Sequence, residues 1–290
     1  YGIRGFFSFE QGSQVHQLIP FETSYGGGTS AILDVNEAGI AAGFSSYKIT
    51  QSYLEAIEGR TDADESDEDN KSNTCADPDI VPVDITLEAC IANLLLNATS
   101  VPYHSMAVKA TLDPNGSPVI EQLGLLATPH EDDERAYSSY ALALNNNGVA
   151  VGYADGFYDE TVTEPEADET RWYQYAVVYK NGEVIDLSGD HSVARNSRAY
   201  DINDAGIAVG HITKVTNGKY IQKFFYVDTS VPTEEINMVT PDDYFSGSES
   251  TARAINSNGL IVGEGEIETH SESTSNPRRT AAFVYDMNDD

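Results

Sequence analysis

The chain has 290 residues, 40% of them hydrophobic, and its longest apolar patch, Ile91 to Leu96, is far short of the ~20 residues a membrane span needs. Forty-seven Asp and Glu against 16 Lys and Arg leave a formal charge of −31, which argues against nucleic acid and anionic membrane surfaces as partners. The same acidity suits either cation binding and basic partners or solubility in salty water, where self-repulsion is screened. Seventeen Tyr, ten Phe and 23 Gly against three Met point to strands joined by tight turns.

In chain order, Gly5–Phe9 and Val15–Leu18 form the first predicted hairpin, turning at Gln11-Gly12. Tyr25 to Ser30 is glycine-rich but lacks the lysine and following helix of a phosphate loop, so it reads as a link between hairpins. Ile32-Leu33-Asp34-Val35-Asn36-Glu37-Ala38-Gly39-Ile40-Ala41-Ala42-Gly43 follows, and this twelve-residue pattern returns at 141–152, 199–210 and 252–263. Asn36, Asn145, Asn203 and Asn256 align without gaps, as do Gly39, Gly148, Gly206 and Gly259, and Gly43, Gly152, Gly210 and Gly263. Asn-x-x-Gly suits a type I turn with a left-handed glycine at its end, so each copy predicts strand, turn, strand. The second glycine predicts close backbone approach or a bulge.

A further hairpin precedes each copy. Ala107–Ala110 pairs with Val119–Leu123, Tyr175–Tyr179 with Val184–Leu187, and Phe224–Val227 with Glu235–Val239, while Ala281–Tyr285 opens a fifth unit. The asparagines stand 109, 58 and 53 residues apart. Four strands per unit of this size predict an all-β, β-propeller-like array of four-stranded antiparallel blades in a single domain. Its parts are repeat 1 at 1–44, an insert at 45–105, repeats 2 to 4 at 106–155, 156–212 and 213–267, and the start of a fifth at 268–290.

The insert breaks the pattern. Residues 61–70 are an acidic run read as a solvated loop, and Ile85–Asn97 has the apolar spacing of a short helix. Cys75 and Cys90 are either unrelated thiols or a disulfide; their isolation in this polar insert favours the bridge, which an oxidising compartment would preserve. Tyr1 carries no signal peptide, the expectation for a mature product or a fragment.

Taken together, the strand carrying Ala282-Phe283 and the A-x-x-I-N-x-x-G-x-x-V-G hairpins at Asn36, Asn145, Asn203 and Asn256 resemble the HAF-repeat group of extracellular bacterial proteins. The similarity is closest to an uncharacterised acidic, secreted gammaproteobacterial branch and covers residues 1–44 and 106–290. The first residue of the His-Ala-Phe signature is not kept. The resemblance implies an exported, propeller-like protein and no activity.

Catalytic motifs are missing from the sequence. No His-Glu-x-x-His, Gly-x-Ser-x-Gly or cysteine-nucleophile context occurs. His130 to Glu134 reads as an acidic loop, and Gly189-Asp190-His191-Ser192 as a turn in preference to a catalytic trio. Asp34-x-Asn36 and Asp201-x-Asn203 resemble the start of a calcium loop but lack its later acids. Calcium, the one candidate cofactor, is assigned to Asp62, Asp64, Asp67 and Asp69. The expected function is a secreted, cell-surface or periplasmic binding or structural module, with an extracellular protein, a glycan or its own copies as partner. Calcium-dependent adhesion and a glycan-acting hydrolase or lyase are the alternatives. Tyr137–Tyr140 and Trp172-Tyr173 are candidates to stack on sugars or peptides, though they read first as ordinary strand and core aromatics.

Overall fold

The computed structural model describes residues 3–9, 14–59, 75, 85–98, 102–113, 116–128, 137–158, 172–216, 218–270, 273 and 276–289. Asp62, Asp64, Asp67, Asp69 and His130 lie outside them. Among the described residues the fold is mostly β, in five small antiparallel sheets. Sheet I pairs β1 (Gly5–Phe9) with β2 (Gln14–Leu18). Sheet II orders β3 (Ser30–Val35), β4 (Ile40–Ile49), β5 (Tyr103–Thr111) and β6 (Val119–Gly124). Sheet III orders β7 (Ser139–Leu144), β8 (Ala150–Phe157), β9 (Trp172–Lys180) and β10 (Glu183–Asp186). Sheet IV contains β11 (Ala194–Ile202), β12 (Ile207–Thr216) and β13 (Lys219–Asp228), and sheet V contains β14 (Ser250–Ile255), β15 (Leu260–Glu266) and β16 (Thr280–Asp286).

The sheets do not coincide with the units read from the sequence. Each repeat hairpin pairs with the strand that follows it, so β4 pairs with β5 and β8 with β9. A sheet therefore straddles two sequence units. Among the described residues, four strands are present in sheets II and III only. In sheet IV the fourth place holds a single bridge, Tyr226 to Val239, because a 3-10 turn at Thr233–Glu235 occupies the start of the expected strand at 235–239.

Successive sheets pack face to face in chain order. Leu18, Ala41 and Val108 fill the space between sheets I and II, and Ala42, Ala107, Ala141 and Val177 that between II and III. Val151, Val178, Ile212 and Phe225 join III to IV; Val209, Phe224, Ala252 and Ile261 join IV to V. Neighbouring residues such as Ala41 and Ala42 thus enter different cores. A strand covered on both faces must be apolar at consecutive positions, which is why Ile-Ala-Val-Gly stretches follow the turns.

The insert grows from the β4–β5 hairpin, where Ile49 still opposes Tyr103 and the Thr50 amide donates to the Pro102 carbonyl at 3.0 Å. The 158–171 connection leaves β8 and β9 in the same way, with Phe157 opposite Trp172. Within the insert, α1 (Gln51–Glu58) and α2 (Leu87–Asn97) pack through Tyr53, Ile57 and Ile91 on Tyr103, and Cys75 is disulfide-bonded to Cys90. The α2 helix lies within the expected segment. Nothing in the sequence pattern anticipated α1.

Candidate functional site

The repeat asparagines build the end of the molecule opposite the insert. In each turn the side-chain oxygen caps the backbone: Asn145 Oδ1 accepts from the amides of Asn147 and Val149, both at 3.0 Å. The side-chain nitrogen reaches the next sheet. Asn36 Nδ2 donates to Asn145 O, Asn145 Nδ2 to Asn203 O, and Asn203 Nδ2 to Asn256 O, each at 3.1 Å. An aspartate could supply the caps but not this donor.

Asp34 and Asp201 are tied up in the same framework. Asp34 accepts from the amides of Val35 and Leu144, and Asp201 from those of Ile202 and Ile255, all within 2.8–2.9 Å. Burial raises the Asp201 pKa despite these bonds. Both carboxylates therefore stitch sheets together, a role the resemblance to a calcium loop did not suggest. Among the described residues, no three His, Cys, Asp or Glu side chains converge as metal ligands.

The two glycines of each repeat answer different demands. The first sits at positive φ, from +74° in Gly39 to +87° in Gly206. At the second, a Cβ would collide with backbone: Gly43 against the Ala31 carbonyl oxygen, Gly152 against that of Tyr140, Gly210 against Arg198 and Gly263 against Thr251. The crowding comes with a bulge in the facing strand, at Leu33, Leu142, Tyr200 and Arg253. Such a bulge re-aims the side chains beside it.

The residue after the second glycine varies among the copies: Phe44, Tyr153, His211 and Glu264. Each opposes a residue on the strand before it, giving the pairs Ala31/Phe44, Tyr140/Tyr153, Arg198/His211 and Thr251/Glu264. With the bulged Tyr200 and Arg253 they form one continuous line across sheets II to V. Phe44 meets Tyr140 edge-on at 5.0 Å, and Tyr140 stacks on Tyr153 at 4.8 Å. The Arg198 guanidinium lies 4.3 Å over Tyr153; Tyr200 packs on His211 at 5.5 Å and under Arg253 at 5.2 Å. Arg253 closes the line on Glu264 at 2.6 Å. Phe44, Tyr140, Tyr153, Arg198, Tyr200 and His211 are half-buried; Arg253 and Glu264 are exposed.

Electrostatics along this line is set by burial. Desolvation, with help from Arg198 and Arg253, lowers the His211 pKa to about 4, so the imidazole is neutral, and its Nδ1 is buried without a hydrogen-bond partner. Two residues along β8 from Tyr153, burial raises Asp155 to about 7, against the Ser138 amide that donates to its Oδ2 at 2.7 Å. Arg198 also bonds to Gln174, on the strand beside Asp155. The surface that results offers aromatic faces and two guanidinium edges.

The other sequence candidates are placed as follows. Tyr137 is buried against Phe157, whereas Tyr140 joins the line. Tyr173, Tyr158 and Tyr220 surround Arg195 at 4.9–5.3 Å, a cage already filled by its own arginine. His191 bonds through Nδ1 to the Phe157 carbonyl and through Nε2 to Asp186, and Asp190 instead caps the Ser192 amide, so 189–192 is a turn. The glycine-rich link is pinned at both ends: Arg4 binds the carbonyls of Gly27 and Gly28, and the Tyr103 hydroxyl those of Ser24 and Tyr25. Tyr200, His211 and Arg253 were not singled out from the sequence. The signal was present as variability at fixed repeat positions.

These features define an all-β repeat protein with one disulfide-bearing insert. The family model described as "Protein of unknown function (DUF3466)" matches residues 1–290, and the chain belongs to that family. No curated protein matches it. No helix of the described residues is long and apolar enough to cross a membrane.

Proposed function

We propose that the chain is a secreted or cell-surface binding module whose sheets stand as blades of a propeller-like array, and that the line from Phe44 to Glu264 is its ligand-facing surface. The observation that supports this most is the contrast within the repeat. The asparagine and both glycines of each turn are constant in all four copies, while the position after the second glycine is Phe, Tyr, His or Glu. Aromatic faces next to guanidiniums suit a glycan, or a peptide carrying aromatic or acidic groups. The resemblance to exported HAF-repeat proteins and the disulfide accord with an extracellular setting.

The test is a glycan and peptide array probed with the native chain and with Tyr153→Ala and Arg198→Gln. The proposal expects a discrete set of ligands whose signal falls at least about tenfold in both variants, a loss of about 1.4 kcal/mol. Retention of every ligand by both folded variants would remove the line as the binding surface.

A further inference from the structure

A cleft of about 520 Å³ opens between sheet IV and the 240–246 connection, lined by Lys214, Lys223, Thr240, Asp242, Asp243, Phe245 and neighbouring residues. It lies away from the aromatic line, near the end of β12 where Thr216 opposes Lys219. Its volume falls within the range of small-molecule sites, roughly 300–1,000 Å³. Two lysines and two aspartates share this cleft.

The two lysines differ in what surrounds them. Lys223 is fully engaged: its ammonium bonds both oxygens of Asp243 at 2.8 and 2.9 Å and the Ser248 carbonyl at 2.6 Å. Asp243 in turn accepts from Ser250 Oγ at 2.8 Å. That pair neutralises itself. Lys214 is half-buried, and the partner found for its ammonium is the Thr240 hydroxyl, at 3.0 Å. Among the described residues no carboxylate pairs with Lys214, and burial lowers its pKa. Asp242 also lines the cleft but makes no bond to Lys214 among the described residues, so the ammonium keeps two N–H donors for a ligand oxygen. Phe245 supplies an apolar wall, whose ring is held by the Arg278 guanidinium at 5.2 Å.

We propose that this cleft binds a small monocarboxylate of about monosaccharide size, with its carboxylate on the Lys214 ammonium and its body against Phe245. The size of the cleft and the charge of the chain argue together for a small ligand. A net −31 repels extended polyanions at a distance, whereas a single carboxylate feels little of that field beyond a Debye length of about 8 Å in physiological salt.

Sodium glucuronate and glucose, which differ at one carbon, are the probes. Amide chemical shifts of the full chain would be followed during titration with each, to about 10 mM, a range that captures the weak binding expected of one ion pair. The expected result is saturable glucuronate shifts centred on Lys214, Thr240 and Phe245, with glucose at least about tenfold weaker. Lys214→Gln should abolish the difference, and Lys214→Arg should retain it. Lys109→Gln, on β5 and paired with Glu121 at 3.0 Å, should leave glucuronate binding unchanged. No saturable glucuronate shifts at the cleft, equal responses to both sugars, or unchanged binding in folded Lys214→Gln would overturn the proposal.

Discussion

Asn145 Nδ2 donates to the carbonyl oxygen of Asn203 at 3.1 Å, joining turns that are 58 residues apart in the chain. Because Asn145 Oδ1 already caps its own turn, one buried side chain fixes a local reversal and a sheet-to-sheet junction together. Asn145→Ala should cost about 2–4 kcal/mol, the sum of the lost bonds and the buried groups left unpaired. Asn256 is the control: it is exposed, and its Nδ2 meets no acceptor among the described residues. Asn256→Ala should cost about 1 kcal/mol. Urea unfolding of the two variants measures the difference, and equal losses would refute the junction.

The glycines of one repeat should respond unequally to alanine. Gly148 has φ +77° and open space where an added methyl would point, so Gly148→Ala should cost about 1 kcal/mol. At Gly152 the methyl would meet the Tyr140 carbonyl. Gly152→Ala should cost about 3 kcal/mol or more, because the bulged pair must move. Thermal melts of both variants give the ranking.

Asp155 predicts a pH dependence. Its folded pKa, about 7, lies above the ordinary 3.8, so the folded state keeps a proton that the unfolded state releases. Its contribution is complete below about pH 4 and is lost as pH rises through 7. Asp155→Asn retains an acceptor for the Ser138 amide and cannot ionise. Relative to the native chain it should gain on the order of 4 kcal/mol between pH 4 and pH 8. Denaturation at both pH values reads this double difference, and a constant offset would refute it.

His211 acts in the opposite sense. Its folded pKa is about 4 against an ordinary 6.5, so the unfolded chain takes up a proton first as pH falls. The native chain should lose on the order of 3 kcal/mol through this residue between pH 7 and pH 4. His211→Gln should not show that loss. Placing an anion between Arg198 and Arg253 should also raise the His211 pKa, which histidine NMR would detect.

The turns were legible in the sequence because their geometry is local: Asn-x-x-Gly fixes a reversal whatever surrounds it. Strands such as Gly5–Phe9 and the segment of α2 were legible for the same reason. The pairing of each repeat hairpin with the following strand was not, since β4–β5 contacts span an insert of some fifty residues whose closing cost leaves no mark on local pattern. The expected strand at 235–239 misled because Ile236 and Val239 have strand-like composition, yet Ile236 packs on the core between sheets III and IV from a loop. The side chains of the aromatic line were hidden for a different reason. Tyr200 and Arg253 join it through bulges, and a bulge shifts the alternation that sequence patterns rely on.

The most direct test follows tyrosine and histidine ring signals while a ligand from the array is titrated into the native chain. The account predicts that shifts converge on Tyr140, Tyr153, Tyr200 and His211 and leave Tyr158, Tyr173 and Tyr220 around Arg195 unmoved. Shifts confined to the Arg195 cage or to the acidic connections, with Tyr153 and His211 silent, would contradict it.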